Sequence, residues 1–178
     1  MNKGRYVFSQ LCDFLPHDYF KWLVKKYNGD KYVKTFSCWN HLLVMLFGQL
    51  SHRESLRDLT TTLSAHDRLL KHMGMGSAVS RSNLSKANEI REVAIFEYTA
   101  KRMIEAATKA WAGEGKEKLS HISGNVYAFD SSTIVLCLEF FWWCYMHDGK
   151  GGVKLHTLYD VNKGLPVFNI ITQANVYG

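Results

Sequence analysis

Apolar residues recur every three or four positions through the first 111 residues, which is the spacing of one face of an α-helix. The pattern predicts a short helix within residues 1–15 and a second helix over 17–28 that stops at Asn28. Ser37 can cap a third helix that continues to about Leu50. Because this third helix is apolar almost all round, we expect it at the centre of a helical core.

The polar residues of these helices have simple interpretations. Lys21, Lys25 and Lys26 lie on the side of the second helix away from its apolar face, and we interpret them as a solvated surface rather than a DNA contact. His41 and His52 have no second ligand at a spacing suited to a metal ion, so we interpret them as polar surface or capping residues.

A fourth helix is predicted to begin at Ser51, because Ser51-x-x-Glu54 has the form of a capping box. After it, residues 64–88 have the order helix, glycine turn, polar helix. Ser64 can cap the first of these helices, over 66–73. This order is typical of a helix-turn-helix, whose second helix enters the major groove of DNA.

The polar helix of this segment presents five candidate DNA contacts. Arg81 and Asn83 have the chemistry to read the edges of guanine and adenine. Ser82, Ser85 and Lys86 suit phosphate oxygens. A solvated helix start with serine caps explains the same residues equally well, so both interpretations stay open.

From Glu89 to about Trp111 the periodicity predicts one long helix. Its predicted inner stripe comprises Ile90, Val93, Ala94, Phe96, Ala100, Met103, Ile104 and Ala107. The residues that follow are rich in glycine and charge and have no apolar period. We therefore expect a helical domain over 1–112, a linker over 113–118 and a second domain over 119–178.

Beyond the linker the period changes from helical to alternating. Residues 126–129 form an apolar run that predicts a buried strand ending at Asp130. Residues 153–160 and 165–172 predict two further strands joined by the turn at 160–164. The fold class predicted for the whole chain is therefore α+β, with helices first and antiparallel strands after them.

A dense apolar and aromatic patch follows the first strand. It comprises Leu136, Leu138, Phe140, Phe141, Trp142, Trp143 and Tyr145. We favour a loop or short helix that packs on the core, and a surface for a partner chain or for base stacking is the alternative.

Asp130 is the residue of this half that most needs an explanation, because burying an unpaired carboxylate is costly. We expect it to be paired with a cation, hydrogen-bonded to backbone, or used to hold a metal ion. Strand alternation puts Lys154 and His156 on one face, from which both could approach Asp130 or a phosphate.

An ordered series of short motifs runs through this half. It comprises Tyr127-Ala128-Phe129-Asp130-Ser131-Ser132-Thr133-Ile134, then Gly149-Lys150-Gly151-Gly152-Val153-Lys154-Leu155-His156-Thr157-Leu158, then Gly164-Leu165-Pro166 and Ile171-Thr172. The series resembles the opening of the catalytic domain of DDE transposases, and most closely the insertion-sequence-four type found in bacteria. The order and spacing carry the resemblance, since a strand ending in Asp-Ser-Ser occurs in many folds.

The resemblance implies a ribonuclease-H-like domain in which two Asp and one Glu hold Mg²⁺ or Mn²⁺ for attack on DNA phosphodiesters. Asp130 would be the first of these acids, both catalytic and metal-binding. Lys150, Lys154 and His156 would lie on the DNA side, with Lys154 neutralising phosphate or supporting the fold. No counterpart of the second and third acids precedes Gly178, so we expect a fragment that binds DNA without cleaving it.

The formal charge of +6 is unevenly distributed. Residues 1–112 carry 17 Lys and Arg against 10 Asp and Glu, whereas residues 113–178 carry 5 against 6. A basic surface attracts phosphates by Coulomb steering and counterion release. The helical domain is therefore the part expected to bind nucleic acid.

The cysteine spacing and the hydropathy of the chain indicate the cellular compartment in which the protein is expected. Its cysteines are widely spaced and are predicted to be reduced thiols rather than a zinc site or a disulfide framework; they are Cys12, Cys38, Cys137 and Cys144. The N-terminus lacks a signal-peptide pattern, and the longest apolar stretch, 134–146, is shorter than the roughly 20 residues of a membrane span. We expect a cytoplasmic protein with no membrane contact.

The leading hypothesis is a DDE transposase fragment whose partner is double-stranded DNA at the ends of a mobile element. A homo-oligomer or a full-length transposase is the expected protein partner. Two alternatives stay open. One is a non-catalytic DNA-binding regulator of the full-length enzyme, and the other is a structural remnant that binds no nucleic acid.

Overall fold

The computed structural model describes residues 5–111, 126–136, 145–146 and 150–173. The chain divides into two compact units, Met1–Met103 and Ile104–Gly178. The predicted linker at 113–118 lies outside the described residues, and so do residues 137–144 of the aromatic patch.

The first unit is built from helices. They are α1 (Val7–Cys12), α2 (His17–Lys26), α3 (Cys38–Leu50), α4 (Leu56–Ala65), α5 (Asp67–Leu70) with a 3-10 turn after it (Lys71–Met73), α6 (Arg81–Ile90) and the start of α7 (Val93–Trp111). The side-chain oxygens of Ser37, Ser55 and Ser80 each accept a hydrogen bond from the backbone N–H three residues on. These bonds satisfy donors that a helix start leaves without a partner, and the predicted cap at Ser37 is confirmed.

The predicted start of the fourth helix at Ser51 is wrong, because this serine closes α3 instead. His52 adopts a left-handed φ of 53°, and the Arg53 N–H donates to the Gly48 carbonyl at 2.9 Å. Such a left-handed C-terminal motif uses up the residues after a helix. The next position free to act as an N-cap is Ser55, where α4 begins.

α3 lies at the centre of the helical core, as its apolar composition predicts. The buried cluster around it comprises Leu15, Leu43, Val44, Leu59, Leu63, Leu70, Met73, Met75, Val79 and Leu84. A second cluster joins α2, α3 and α7 through Phe20, Leu23, Cys38 and Ile95. Since burying a large aliphatic side chain contributes about 1.5–3 kcal/mol, these two clusters are the main source of stability in this unit.

Two cysteines are free thiols in the described part of the chain, Cys12 and Cys38, as the sequence predicts. Burial raises the pKa of the Cys38 thiol to about 12, so it stays protonated and unreactive at neutral pH. Cys137 and Cys144 lie outside the described residues.

The inner stripe predicted for the long helix is wrong at Ile90, Val93, Ala100 and Met103, which are exposed, and is confirmed at Phe96, which packs against the second cluster. α6 ends at Ile90, Arg91 has an extended backbone, and α7 begins only at Val93. Ile90 and Val93 are therefore exposed, and the residues that α7 buries are Ile95 and Thr99. The prediction counted its stripe from a residue that belongs to the preceding helix.

The second unit contains an antiparallel sheet made of β1 (Tyr127–Leu136), β2 (Tyr145–Met146), β3 (Lys150–Asp160) and β4 (Leu165–Gln173). β3 is the central strand: β1 pairs with it along one edge, and β2 and β4 pair with it along the other. The predicted hairpin of two strands with a turn between them is confirmed as β3 and β4. Helices followed by antiparallel strands confirm the α+β class.

Among the described helices, none combines the length and apolar character that crossing a bilayer requires.

Candidate nucleic-acid interface and acidic site

α6 presents a polar face on the first unit. Leu84 is fully buried and Ala87 is 5% exposed, which fixes the helix on the core. The five predicted DNA contacts, Arg81, Ser82, Asn83, Ser85 and Lys86, are all exposed. The apolar side of the helix therefore anchors it, and the side with hydrogen-bonding and basic groups meets solvent.

His41 and Arg91 attach the end of α6 to α3. His41 Nε2 donates to Asn88 Oδ1 at 2.5 Å. The Arg91 guanidinium donates to the backbone carbonyls of Phe36 and Ser37, at the start of α3. These contacts attach the C-terminal end of α6 to the core, as Leu84 and Ala87 attach its middle.

The interpretation of His41 as a surface residue is wrong, because its side chain is only 4% exposed. Its ring packs edge-on against Phe96, at 5.2 Å between ring centroids. Since Nε2 donates to Asn88, neutral Nδ1 is a bare acceptor, and it has no hydrogen-bond partner among the described residues. Burial lowers the pKa of His41, and the nearby Arg91 charge lowers it further, against the Asn88 hydrogen bond, which raises it.

The segment before α6 differs in detail from the predicted helix over 66–73. Ser64 lies inside α4, so the predicted cap is wrong, and α5 is only four residues long. Gly74 ends the following 3-10 turn with a φ of 81°, which glycine adopts without strain. Asp67 Oδ1 accepts a hydrogen bond from the Ala78 N–H at 2.9 Å and so ties the loop before α6 to α5.

Asp130 lies within β1, where it pairs with Thr157 of β3. The prediction that it ends a buried strand is wrong, because the strand continues to Leu136 and the Asp130 side chain is exposed. The β-branched residues 133–135 extend the strand. Asp130 Oδ2 accepts a hydrogen bond from the Ser132 hydroxyl at 2.8 Å on the same face.

Lys154 and His156 do not converge on Asp130. Cross-strand pairs of an antiparallel sheet share a face, and these residues pair with Thr133 and Ser131, which alternate with Asp130. The expected approach of Lys154 and His156 to Asp130 is therefore wrong.

The His156 ring is buried and stacks on Phe129 at 5.8 Å between centroids, and its Nε2 lies 2.8 Å from the Thr172 hydroxyl. Both contacts lie on the face of the sheet opposite Asp130. The side chain of Lys150 lies outside the described residues.

The described residues around Asp130 do not fit a two-metal centre. No group of three or more His, Cys, Asp or Glu side chains able to hold a metal ion occurs in the described part of the chain. A hard divalent ion needs several oxygen ligands, and Asp130 with the Ser132 hydroxyl supplies too few. The described residues therefore support no chemical step through Mg²⁺ or Mn²⁺.

The buried acid of the sheet is Asp160, which sequence reasoning treated only as a turn residue. Its side chain is 1% exposed and accepts hydrogen bonds from the backbone N–H and the ammonium of Lys163. The Lys163 ammonium holds the pKa of this carboxyl below its usual range. The sequence feature that could have indicated this pair is the spacing Asp160-x-x-Lys163 before Gly164. At this spacing the Asp160 carboxylate can accept hydrogen bonds from the residues of the turn.

A cavity of about 310 Å³ lies in the second unit beside this ion pair. Its lining includes Ile104, Thr108, Tyr127, Asp160, Lys163 and Pro166. Asp130 is not part of the lining, so the cavity and the acid singled out by the resemblance are separate features.

Comparison with known families gives one match, to a domain described as a domain of unknown function (DUF4372), over residues 3–76. The match covers less than half of the chain and ends before α6. No curated protein and no solved structure matches the chain.

Proposed function

We propose that this chain binds double-stranded DNA through the exposed face of α6, as the DNA-recognition part of a transposase of the DDE type. The observation that carries the proposal is the division of α6 into an anchored apolar side and an exposed side with arginine, lysine, serine and asparagine. A helix of about ten residues fixed in this way can lie in the major groove and present its side chains to base edges.

Rigidity supports this role. Direct readout depends on holding side chains within a fraction of an ångström of the base edges. Leu84 and Ala87 fix the body of α6, and the Asn88 and Arg91 bonds fix its end. Arg81, Asn83 and Lys86 therefore project from a firmly held backbone.

Charge gives a second line of support. The excess of 17 basic over 10 acidic residues lies in the first 112 residues, the part of the chain that includes α6. Contacts with phosphates release counterions, so the affinity for DNA falls steeply with salt.

The link to transposases depends on the motif series in the second unit. The described strands agree with what the resemblance implies at the level of topology: a strand carrying Asp130, followed by an antiparallel hairpin paired to it. Asp130 would be one of several carboxylates at a catalytic centre. Strand cleavage needs further carboxylates that the described residues do not supply.

A non-catalytic DNA-binding regulator is the second candidate. The exposed, lone position of Asp130 among the described residues favours it, because such an acid has no catalytic partner. Under this proposal Asp130→Asn leaves the biological activity of the chain unchanged. Under the transposase proposal the same change abolishes any cleavage that the chain supports together with further carboxylates.

The proposal is tested by fluorescence anisotropy with a labelled duplex of mixed sequence, titrated at several salt concentrations. Lys86→Gln should reduce the slope of log affinity against log salt by about 1, the effect of one lost phosphate contact. Lys34→Gln is the matched control, since Lys34 is an exposed lysine in the loop before α3. It removes the same charge and should change the slope less.

Substitutions of Arg81 and Asn83 test the recognition of base edges rather than the attraction to phosphate charge. If they contact base edges, Arg81→Ala should cost about 1–3 kcal/mol on a preferred sequence and little on other duplexes. No retention of duplex DNA at low salt would reject the proposal and favour the inert remnant instead.

A further inference from the structure

α2 and α7 bring aromatic rings and cations together on one surface of the first unit. We call this set the aromatic–basic face; it comprises Tyr19, Trp22, Lys26, Tyr27, Tyr98, Lys101 and Arg102. Trp22 is 51% exposed and Tyr98 is 40% exposed. Tyr19 and Tyr27 are partly buried and pack against the core of Phe20, Leu23 and Ile95, whereas Trp22 and Tyr98 lie outside that core.

The rings form two stacked pairs with Lys26 between them. Tyr19 stacks on Trp22 along α2, at 5.7 Å between centroids, and Tyr27 stacks on Tyr98 of α7 at 6.3 Å. The Lys26 ammonium lies 5.0 Å from the Trp22 ring, 5.1 Å from the Tyr27 ring and 5.9 Å from the Tyr98 ring.

Two further cations lie over rings of the same face. The Lys101 ammonium lies 5.4 Å from the Tyr98 ring, and the Arg102 guanidinium lies 5.9 Å from the Tyr19 ring. Lys101 also forms an exposed ion pair with Glu97 at 2.6 Å. Exposed pairs of this kind contribute little to stability, so Lys101 can readily exchange its partner.

We propose that the aromatic–basic face binds single-stranded nucleic acid. Unpaired bases stack on Trp22 and Tyr98, and Lys26, Lys101 and Arg102 contact the phosphates. Alternating aromatic rings and cations are the means by which proteins hold single strands with little regard to sequence, because every base has a π-face.

The energies favour an exchange of partners on this face. A cation over an exposed ring is held weakly, whereas a base stacked on an aromatic side chain is held more strongly. A base can therefore displace the Lys26 ammonium from the Trp22 ring. The displaced ammonium gains a phosphate oxygen of the same strand, so the charge is not left without a partner.

Charge selects a nucleic acid over a second copy of this chain. Lys25, one turn from Trp22, adds to the positive charge of the face, and the acids of α2 and α7 are Asp18, Glu97 and Glu105. Two copies meeting through this face would bring like charges together. A duplex does not fit either, because its bases are already stacked on one another and present no free π-face.

This inference does not depend on duplex binding by α6. The two surfaces use different residues and different chemistry: α6 presents hydrogen-bonding groups for base edges, and the aromatic–basic face presents rings for unpaired bases. The earlier interpretation of Lys26 as a merely solvated lysine is replaced by this role.

The test measures binding of labelled dT₁₂ and rU₁₂ by fluorescence anisotropy at low salt. Trp22→Leu and Tyr98→Leu should each weaken binding by about 5- to 150-fold, the loss of one stacked base. Trp22→Phe keeps a ring and should restore most of the affinity. Lys34→Gln is the control, because Lys34 is an exposed lysine outside the aromatic–basic face, and it should leave binding of both oligonucleotides unchanged.

Thermal melting of each variant checks that the helical unit stays folded, and Tyr98→Leu carries the test if Trp22→Leu unfolds. Binding of either oligonucleotide with these losses supports the proposal, and the stronger ligand identifies DNA or RNA as the source of the strand. Absence of binding by the unmodified protein overturns it, as does equal binding by Trp22→Leu and Tyr98→Leu. A change of oligomeric state in these variants with no change in oligonucleotide binding also overturns it.

Discussion

The helical unit and the sheet differ in how far they bury their apolar side chains. In the helical unit, Leu84 and Ile95 are fully buried. On the described strands, Phe129, Ile170 and Ile171 are 62%, 51% and 65% exposed. The helices close a core with their own residues, whereas the described residues of the sheet leave apolar faces uncovered. The stability of the described fold therefore depends mainly on the first unit.

The largest expected effect tests this difference directly. Leu84→Ala removes a fully buried side chain between α6 and α4 and should lower the free energy of unfolding by about 2–5 kcal/mol. Ile171→Ala removes a side chain of the same volume that is 65% exposed, and should change it by less than about 0.5 kcal/mol. Urea denaturation of both variants gives the two values. Equal losses would show that the sheet buries Ile171 in solution.

The pH dependence of stability should come from His41 in the helical unit. Its pKa is lowered in the folded state, so the folded protein binds fewer protons than the unfolded chain. The contribution of neutral His41 is present above its ordinary pKa of 6.5 and is lost as the pH falls below that value. Protonation would place a buried N–H without an acceptor at Nδ1, close to the Arg91 charge.

This prediction is measured by urea denaturation between pH 8 and pH 5, comparing the unmodified protein with His41→Gln. The variant loses the titrating group and should show a flatter dependence in this range. The acids with lowered pKa values, Asp13 and Asp160, lose their contribution only at lower pH, below their ordinary value of 3.8. Parallel curves for the two proteins would show that His41 does not titrate differently on folding.

Much of the helical unit could be predicted, because its signals are local. Ser37 and Ser80 cap helices through bonds to a backbone three residues away, and Asn28, with a φ of 54°, ends α2 as expected. The failures come from competition between signals. Ser51 lies in a sequence typical of a helix N-cap, but in the structure it is the C-cap of α3. The start of the stripe predicted for α7 is wrong because the helix is interrupted between Ile90 and Val93, where the periodicity is continuous.

The candidate sites were predictable only in part, because side-chain partners depend on tertiary contacts. The exposed polar face of α6 follows from periodicity, since Leu84 and Ala87 mark its inner side. The burial of His41 does not follow from periodicity, because its hydrogen-bond partner, Asn88, lies 47 residues away along the chain. The face of the sheet on which Asp130 lies could be assigned only from the strand register. This register pairs Asp130 with Thr157 and pairs His156 with Ser131.

A smaller effect should come from the cap of α6. Ser80→Ala removes the hydroxyl that accepts a hydrogen bond from the Asn83 N–H, and should lower the free energy of unfolding by about 1 kcal/mol. Ser85→Ala is the matched control within the same helix, where an exposed alanine should be neutral or slightly stabilising. Urea denaturation measures both. A similar loss from the two substitutions would show that the hydroxyl of Ser80 does not act as a cap.

The smallest effect should come from Asp130. Its carboxylate is exposed and accepts a hydrogen bond from the hydroxyl of Ser132, two residues on. Asp130→Asn should therefore change the free energy of unfolding by less than about 0.5 kcal/mol. One carboxylate and one hydroxyl also hold a hard divalent ion weakly, so calorimetric titration with Mg²⁺ should show no saturable site in either protein. Tight, stoichiometric Mg²⁺ binding that Asp130→Asn abolishes would contradict this. It would mean that residues outside the described strands complete a metal centre with Asp130, and that the sheet, not the helical unit, carries the chemistry of this protein.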